Sequence, residues 1–530
     1  MALPEIPAEE RTPLVEALLG VIRQLQDRVA ELEGTVQQLR AEIAILKGQK
    51  PKPQIKPSQL ESPAPRPRVE GAKRPGSQKR SKNAELTIHQ EVPLHPPDLP
   101  AGAVFKGYEP FVVQELKIES ENTRYLRTRY ELPTGGSVLA PLPADIQSHF
   151  GPGLICYILE QYYHARVTQP LLPEQLHDFG INISAGQLSR ILTENHDAFH
   201  QEQAELLTAG LETASYIGTD DTGARHQGKN GYCTVSSHEL FAYFESTACK
   251  SRLNFLQVLQ GGSCTYAINE TMRAYGERQK LAAAVVQKLT SGPLQFAAAA
   301  AWQARLTERT IDDERHVRIA TEGALLGGLL ERGVSRELVI LSDGAPQFDL
   351  WQHASCWIHA ERPLAKLVPH NDEHRAAIEK IRQQIWELYR DLKAYREQPD
   401  AAQKPLLEAR FDALVEQQSG YPSIQGVLKE MRAHRTDLLR VLERPEVPLH
   451  NNASESDIRE YVTKRKIRGS TRSASGRRCR DTFASLKKTC RKLGARFWDY
   501  LQDRVRGLGR IARLADMIRQ RAKARQAALA

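Results

Sequence analysis

Two features are scarce in this sequence of 530 residues: cysteine and long apolar runs. The seven cysteines are an odd number and contain no Cys-x-x-Cys pair, which excludes an obvious disulfide framework or zinc ribbon and fits a reducing compartment. No run of about 18 apolar residues occurs, so we expect no membrane-spanning helix. The N-terminus shows no basic segment followed by an apolar one, so no secretory signal is visible. These absences predict a cytoplasmic protein.

Three nucleotide and hydrolase motifs are also absent. The sequence contains no P-loop, no Gly-x-Gly-x-x-Gly and no Gly-x-Ser-x-Gly, which argues against a nucleotide-driven motor, a dinucleotide enzyme and a serine hydrolase. Apolar residues nevertheless make up 41% of the chain, enough to bury a core. The length predicts about three or four domains.

Charge is unevenly distributed along the chain. Residues 47–82 carry a net charge of +9 and residues 461–530 a net charge of +17, which leaves −17 for the rest of a chain whose total is +9. An acidic body with two strongly basic segments favours a polyanionic partner, above all nucleic acid. Solvated basic tails are the alternative, and that alternative stays open for residues 47–82. The C-terminal segment is interleaved with apolar and aromatic residues, which favours a binding role there.

A seven-residue repeat occupies the N-terminus. Leucine recurs at every seventh position, and a β-branched residue precedes each leucine by three positions, the pattern of a parallel two-stranded coiled coil. The leucines are Leu18, Leu25, Leu32, Leu39 and Leu46, and the β-branched residues are Val15, Ile22, Val29, Val36 and Ile43. We therefore predict a dimerising coiled coil over residues 1–48. An amphipathic helix packed on its own chain is the alternative.

Three further segments precede the main domain. Residues 49–83 are rich in Pro, Lys, Arg and Ser and predict an extended linker. Residues 84–150 predict a small β-rich domain, with strands near 111–118 and 125–130 and a turn at Thr134-Gly135-Gly136. Residues 151–200 predict helices with the spacing of a helix-turn-helix, with Ser184 as an N-cap.

An α/β pattern follows. Apolar segments predict strands near 214–219, 231–237, 239–246, 337–341 and 353–358. Residues 265–330 and 372–443 are mostly helical in pattern. Strands interrupted by long helical stretches indicate an α/β domain with large helical insertions.

Three acidic residues stand out by position. Asp220 ends or interrupts one strand, Asp343 follows another, and Glu455 lies in the first turn of a helix after His450-Asn451-Asn452. A carboxylate at the end of a buried strand is costly unless it binds a metal or a donor. Hard oxygen ligands suit Mg²⁺ or Mn²⁺, and two such ions can promote phosphodiester chemistry. Taken singly, each residue could instead be a turn residue or a helix-dipole partner.

Four motifs carry a family resemblance. They are Thr219–Thr222, Leu341–Gly344, Cys356–Arg362 and Asn451–Glu455, the last followed by Arg459 and Arg465–Lys466. On these motifs the sequence resembles transposases of the insertion-sequence-66 family, from about residue 105 to Leu501. The resemblance implies a DDE catalytic domain of ribonuclease-H-like fold over residues 211–463. The chain departs from the family in the long spacing from Asp220 to Asp343, where residues at about 262–335 form an extra helical insertion. We expect a second helical insertion at about 366–448 and a basic helical region at 464–530.

The resemblance also implies roles for individual residues. Asp220, Asp343 and Glu455 would be the catalytic, metal-binding triad. Active-site support would come from Asp221, His359, Arg362, Asn451 and Asn452. We expect DNA to be contacted by the motif residue Arg459 and by the basic run Lys464, Arg465, Lys466 and Arg468, for which a solvated helix face is the alternative. A basic run so close to Glu455 suits the positioning of a scissile phosphate, because backbone contacts fix register.

Zinc is not expected. Members of the family usually carry a cysteine cluster before the catalytic domain, but no cysteine occurs between residues 1 and 155. His353, Cys356 and His359 have zinc-like spacing, yet strand alternation over 353–358 would place 353 and 359 on one face and 356 on the other. We expect His359 to contact DNA or to orient a ligand instead.

The sequence thus predicts a bacterial, cytoplasmic and nucleoid-associated DNA transposase. It would cut phosphodiester bonds at the ends of a mobile element and join the freed 3′-hydroxyl to target DNA, using Mg²⁺ or Mn²⁺. Its partners would be double-stranded DNA, a second copy of the chain through the coiled coil, and accessory transposition proteins; no membrane is involved. The alternatives are a ribonuclease-H-like nuclease without joining activity and a non-catalytic DNA-binding regulator.

Overall fold

The computed structural model describes residues 87–100, 102–143, 146, 148–262 and 264–529, together with scattered positions between 12 and 35. The chain divides into two units, Met1–Glu119 and Ser120–Ala530. Five positions of the heptad repeat and the linker predicted over 49–83 lie outside the described residues; the five are Leu18, Val36, Leu39, Ile43 and Leu46.

Among the described residues of the first unit, helix occurs only at the start. The described positions from 15 to 35 are helical. Four predicted coiled-coil positions there are exposed by 39–59%: Ile22, Leu25, Val29 and Leu32. This is an apolar face that a partner helix would cover, and the homodimer stays a prediction. The strand predicted over 111–118 was wrong: these residues form no regular element, because no described neighbour pairs with them.

The second unit begins with a short hairpin. β1 (Arg129–Glu131) and β2 (Ser137–Leu139) are antiparallel and are joined at the predicted glycine turn, where Gly135 and Gly136 have φ of 83° and 95°. All six strand residues are exposed. Within the described residues the hairpin therefore has no core of its own.

Four helices lead into the main sheet. They include the predicted pair around Gly180, and Ser184 caps the second of that pair by accepting a hydrogen bond from the Gln187 backbone N–H at 3.2 Å. The helices are α1 (Pro152–Leu159, prolonged by a π turn over Glu160–His164), α2 (Leu171–Asp178), α3 (Ala185–Thr193) and α4 (Asp197–Thr213).

An antiparallel meander forms half of the sheet. β3 (Tyr216–Gly223), β4 (Tyr232–Ser237) and β5 (Ala242–Thr247) pair in sequence order. The long predicted helical region then follows, broken by one short strand pair. It comprises α5 (Arg252–Leu259), β6 (Tyr266–Ala267), α6 (Glu270–Arg278), α7 (Ala283–Thr290), β7 (Gln295–Phe296), α8 (Ala299–Glu308) and α9 (Glu314–Glu331).

Two parallel strands complete the sheet. β8 (Val339–Ser342) lies beside β3, and β9 (Gln352–Ser355) lies beside β8, which gives the strand order β5-β4-β3-β8-β9. The predicted strand over 353–358 was wrong beyond Ser355. A helix begins at Trp357 instead, because Trp357, Glu361 and Leu364 are buried at helical rather than alternating spacing.

The remaining chain is helical. A second apolar core forms among the helices that follow β9. Those helices are α10 (Trp357–Lys366), α11 (Asp372–Glu397), α12 (Gln403–Val415), α13 (Pro422–Ala433) and α14 (Arg435–Leu438). The last four are α15 (Asn452–Arg468), α16 (Ala474–Lys492), α17 (Phe497–Arg506) and α18 (Leu514–Leu529). Of these, α15 packs on β3 and β4, α16 packs on β5, and α18 packs on α4.

Candidate active site

Two aspartates lie side by side at the centre of the sheet. Gly218 on β3 pairs with Leu341 on β8 in a parallel register. Extending that register by two residues places Asp220 beside Asp343, with both side chains on one face. Asp343 follows its strand as predicted, but Asp220 does not end one: β3 continues to Gly223 because β4 pairs with it along that length. Asp220 therefore projects from the middle of a rigid strand.

The helix that carries Glu455 lies along the same face of β3. The side chain of Ser454 contacts Gly218 so closely that an added Cβ would be 2.2 Å from its hydroxyl oxygen. Eleven residues later, Arg465 donates to Thr222 Oγ1 at 3.2 Å. Strand positions 218, 220 and 222 share a face, so α15 passes over Asp220 between these two contacts. Glycine at 218 permits this close approach of helix and strand.

The carboxylates of the predicted triad act on one another. Burial and, to a smaller extent, the negative charges of Asp343, Glu455 and Asp221 together raise the pKa of Asp220 to about 7, although a hydrogen bond from the Asp221 backbone N–H at 2.8 Å opposes the shift. A carboxyl group with this pKa is poorly stabilised as an anion by the protein alone. The structure therefore brings the three predicted residues together electrostatically.

Glu455 meets His359 on the neighbouring α10. His359 Nδ1 lies 3.6 Å from Glu455 Oε1, and within the described residues neither of these buried atoms has a hydrogen-bond partner. Burial and the charge of the exposed Arg362 lower the pKa of His359, while Glu455 and Asp343 oppose that shift. Cys356 Sγ joins these two, so that one ligand atom of each lies within 4.8 Å of the others. Burial raises the pKa of the Cys356 thiol, which keeps it protonated.

Asp221 faces away from the triad. Its carboxylate forms an ion pair with Lys250 at 2.5 Å and accepts a hydrogen bond from Gln347 Nε2 at 3.0 Å. Sequence reasoning missed both partners. Gln347 lies four residues after Asp343, a weak signal, and nothing in the sequence singles out Lys250. Asp221 therefore links β3 to the turn that carries Asp343.

Asn451 attaches α15 to the sheet. Its side-chain amide donates to the backbone oxygen of Thr219 at 2.6 Å, and its backbone N–H donates to Cys356 Sγ at 3.4 Å. The next residue, Asn452, directs its backbone N–H to His450 Nδ1 at 3.4 Å. These two hydrogen bonds of Asn451 hold the start of α15, and with it Glu455, against β3.

A buried chain of hydrogen bonds through Ser342, His353 and Asp437 holds the turn after β8. Ser342 Oγ accepts from the Gly344 backbone N–H at 3.1 Å and contacts His353 Nε2 at 2.8 Å. His353 Nδ1 in turn contacts Asp437 at 3.1 Å. Burial alone would raise the pKa of Asp437, but its hydrogen bonds with His353 and a neighbouring histidine hold it below its usual range. Ser342 is fully buried, so this Ser-His-Asp chain positions Asp343 and is not a hydrolase triad.

The helical insertion holds the same turn from the side. Arg252 on α5 donates to the backbone oxygen of Pro346 at 2.6 Å and to the Tyr275 hydroxyl at 3.2 Å. Tyr275 donates to Glu322 at 2.6 Å. The ring of Phe348 packs edge-on against the ring of Phe255 on α5, and the two ring centroids are 4.9 Å apart. The insertion therefore braces the loop that carries the second aspartate.

The basic run after Glu455 divides into inward and outward side chains. Lys464 is buried over the Tyr163 ring at 4.4 Å, and burial lowers its pKa well below the usual range. Arg468 stacks over the Tyr162 ring at 3.6 Å. These two positions lie one helical turn apart and face the interior, so the structure does not present them to a phosphate. Arg459 and Lys466 are exposed.

Comparison with known proteins identifies the family. Residues 344–478 match the family described as "Transposase IS66 family". A relative from Sinorhizobium fredii (strain NBRC 101917 / NGR234), "Uncharacterized protein y4jO", is 40% identical over 303 residues, which are 57% of this chain and 94% of that protein. The chain belongs to the IS66 transposase family.

Membership in the IS66 family bears on the site directly. The matched segment begins at the residue after Asp343 and contains Glu455 and the whole of α15. A transposase family implies binding to DNA. Within the described residues, no helix is long and apolar enough to cross a membrane.

Proposed function

We propose that this IS66-family protein cuts phosphodiester bonds at the ends of a mobile element and joins the freed 3′-hydroxyl to target DNA. The observation that carries the proposal is the convergence of three carboxylates: Asp220 on β3, Asp343 directly after the adjacent parallel strand β8, and Glu455 on the helix packed over β3. The strand order supports a ribonuclease-H-like core: the first strand of the antiparallel meander, β3, pairs with the parallel strand β8, which in turn pairs with the parallel strand β9.

The residues at this site fit divalent cations. Asp220 has a raised pKa because it is buried beside other carboxylates, and Glu455 Oε1 is a buried oxygen with no hydrogen-bond partner within the described residues. A bound cation would offset the repulsion that raises the pKa of Asp220 and would give the buried Glu455 oxygen a partner. We propose that Asp220, Asp343 and Glu455 hold Mg²⁺ or Mn²⁺, which would activate a water or hydroxyl and stabilise the departing oxygen. Burial raises the pKa of the Cys356 thiol, which opposes the thiolate that a zinc site with His359 would need.

The surrounding residues have positioning roles in this proposal. Asn451 holds Glu455 over β3, the Ser342 chain and Arg252 hold the Asp343 turn, and Lys250 keeps Asp221 directed away from the triad. His359 is kept neutral by burial and by Arg362, so its ring can steady the Glu455 carboxylate without competing as a cation. Rigid support of this kind preorganises charged groups for a transition state.

The test uses purified protein and a plasmid carrying the gene with its native flanking DNA. We expect cleavage in those flanks that depends on Mg²⁺, together with joined products. Asp220→Asn, Asp343→Asn and Glu455→Gln should each lower cleavage by at least about 100-fold, the scale of removing one preorganised electrostatic group, while DNA binding is retained. Asp372→Asn, at the exposed start of α11, is the matched control and should cut normally.

The two alternatives give different products. A metal nuclease of the same fold would cut the plasmid and leave no joined product. A DNA-binding regulator would bind the flanks and cut nothing. Near-normal cleavage by any one of the three carboxamide variants would remove that residue from the triad.

A further inference from the structure

Five exposed cations lie on the loop between β3 and β4, on α15 and on the turn that follows α15. We call them the hairpin-tip surface: Arg225, Lys229, Arg459, Lys466 and Arg472. All five are exposed, and within the described part of the chain none lies within 4.0 Å of a carboxylate. Unpaired exposed cations of one sign attract a polyanion.

The tip is rigid because two segments pair there. The backbone N–H of Gln227 donates to the Thr471 oxygen at 2.8 Å, and the Thr471 N–H donates to the Arg225 oxygen at 3.2 Å. The His226 ring also contacts the Thr471 hydroxyl at 2.9 Å. The hairpin loop and the turn after α15 are thus held as one surface. The backbone positions that carry its cations are held in place, so a bound partner has to order only the side chains.

This surface begins beside the candidate triad. Glu455, Arg459 and Lys466 are separated by four and then seven residues, which places them on one face of α15. The distance from Glu455 to Lys466 is about 16 Å at 1.5 Å per residue. At about 3.4 Å per base pair, that length spans about five base pairs. The cations of the hairpin loop and the following turn extend the line beyond α15.

Several other C-terminal arginines pair with carboxylates within the protein. On α18 and just before it, Arg513 pairs with Glu205 at 2.5 Å and Arg519 with Glu212 at 2.9 Å. Arg504 pairs with the buried Glu202 at 2.8 Å. Positive charge in the sequence therefore overstates the charge available to a ligand, and the hairpin tip keeps its charge free.

We propose that the hairpin-tip surface binds the phosphate backbone of duplex DNA over about five base pairs on one side of the bond at the triad. This inference rests on the proposed function and assigns the DNA path, including Arg225, Lys229 and Arg472, to specific residues. The contacts are to phosphates, so they fix register and carry no base preference.

The test measures binding of a fluorescein-labelled 30-base-pair duplex of arbitrary sequence to the full-length protein in EDTA at several salt concentrations. The test variant is Arg225→Gln with Lys229→Gln and Arg472→Gln. By counterion release, three lost contacts should lower the slope of log affinity against log salt by about 2.7. Between 50 and 200 mM salt, the wild type should then lose about 40-fold more affinity than the variant.

The matched control removes the same charge elsewhere. Arg375, Arg410 and Arg432 lie on the helices after β9 and pair with Asp or Glu, and their triple Gln variant should keep the wild-type slope. Equal slopes for the test and control variants overturn the inference. So does a test variant that loses binding to polyglutamate but keeps its DNA slope, since an acidic polypeptide would then be the partner.

A folding defect is checked by urea unfolding, and Lys466→Gln alone, on the exposed face of α15, should still lower the slope by about 0.9. The outcomes separate the two proposals. Absence of any cleavage product from the wild type removes the proposed function, whereas unchanged salt slopes remove only this surface.

Discussion

Replacing Asp220 with Asn should stabilise the metal-free protein while abolishing cleavage. The ionised carboxylate is buried beside Asp343 and Glu455, which together with burial raise its pKa from 3.8 to about 7. Asn has the shape of the protonated acid and its side-chain oxygen can accept the same hydrogen bond from the Asp221 backbone N–H. The substitution therefore removes an electrostatic penalty and keeps the local geometry.

The size of the expected stabilisation follows from the difference between the pKa of Asp220 in the folded protein and its pKa in the unfolded protein. A pKa raised by about 3 units corresponds to about 4 kcal/mol of lost stability at most, and partial access of water to the site reduces this to about 1–3 kcal/mol. Below pH 3.8 the folded and unfolded states are both protonated and carry no penalty. As pH rises toward 7 the unfolded state ionises first, so the wild type loses stability until the folded carboxyl also ionises. The gain from Asp220→Asn should grow between about pH 4 and pH 7 and level off above.

Urea unfolding in EDTA at pH 5, 6, 7 and 8 measures this directly. Asp221→Asn is the control on the adjacent position, and it should destabilise the protein because Asp221 pairs with Lys250 at 2.5 Å. Added Mg²⁺ should stabilise the wild type more than Asp220→Asn. An Asp220→Asn variant no more stable than the wild type at pH 8, or a difference that does not grow with pH, refutes the reasoning.

Two further predictions concern the supports of the site. Gly218→Ala places a Cβ 2.2 Å from Ser454 Oγ, so urea unfolding should show a loss of about 1–3 kcal/mol, whereas Gly426→Ala in the open face of α13 should cost nothing. Arg252→Ala removes a charged donor to the Pro346 oxygen, a bond worth about 1.5–3 kcal/mol. Its cleavage rate at saturating DNA should fall about tenfold or more with unchanged DNA affinity, and an unchanged rate would show that the insertion does not brace the turn.

Parts of this site could be predicted because their signals are local. Asp343 directly follows an apolar strand, and Glu455 lies in the first turn of a helix, as the sequence indicates. The cap at Ser184 and the glycine turn between β1 and β2 were likewise readable from neighbouring residues. In each case a few adjacent side chains determine the backbone.

Other parts depend on contacts between distant segments. Lys250 pairs with Asp221, and Arg252 reaches the Pro346 oxygen 94 residues later, so neither role has a sequence signature. The segment after Ser355 was misassigned as strand because a short apolar run does not distinguish strand from helix. The packing of Trp357 and Leu364 against the helices that follow β9 determines that this segment is helical. As a result, His359 lies on a helix beside Glu455.

Cations were the residues hardest to assign from sequence. A run of Lys and Arg has no apolar period, so nothing in it distinguishes Lys464, buried over a tyrosine ring, from Lys466, two residues later and exposed. The distinction arises from α15, whose buried face carries every third or fourth residue. Residue type predicted an affinity for phosphate, and the helix face determines which side chains can reach one.

The same argument applies to the C-terminal charge as a whole. Its net of +17 favoured a DNA-binding arm, yet Leu514 and Ile518 of α18 are fully buried. Arg519 on α18 and Arg513 just before it pair with glutamates of α4. Ion pairs across this helix–helix contact neutralise charge that the sequence shows as free. Removing α18 would expose apolar core as well as remove cations, so a truncation mixes folding with binding. The electrostatics of DNA binding therefore have to be tested at exposed, unpaired positions such as the hairpin-tip surface, where charge changes without loss of core packing.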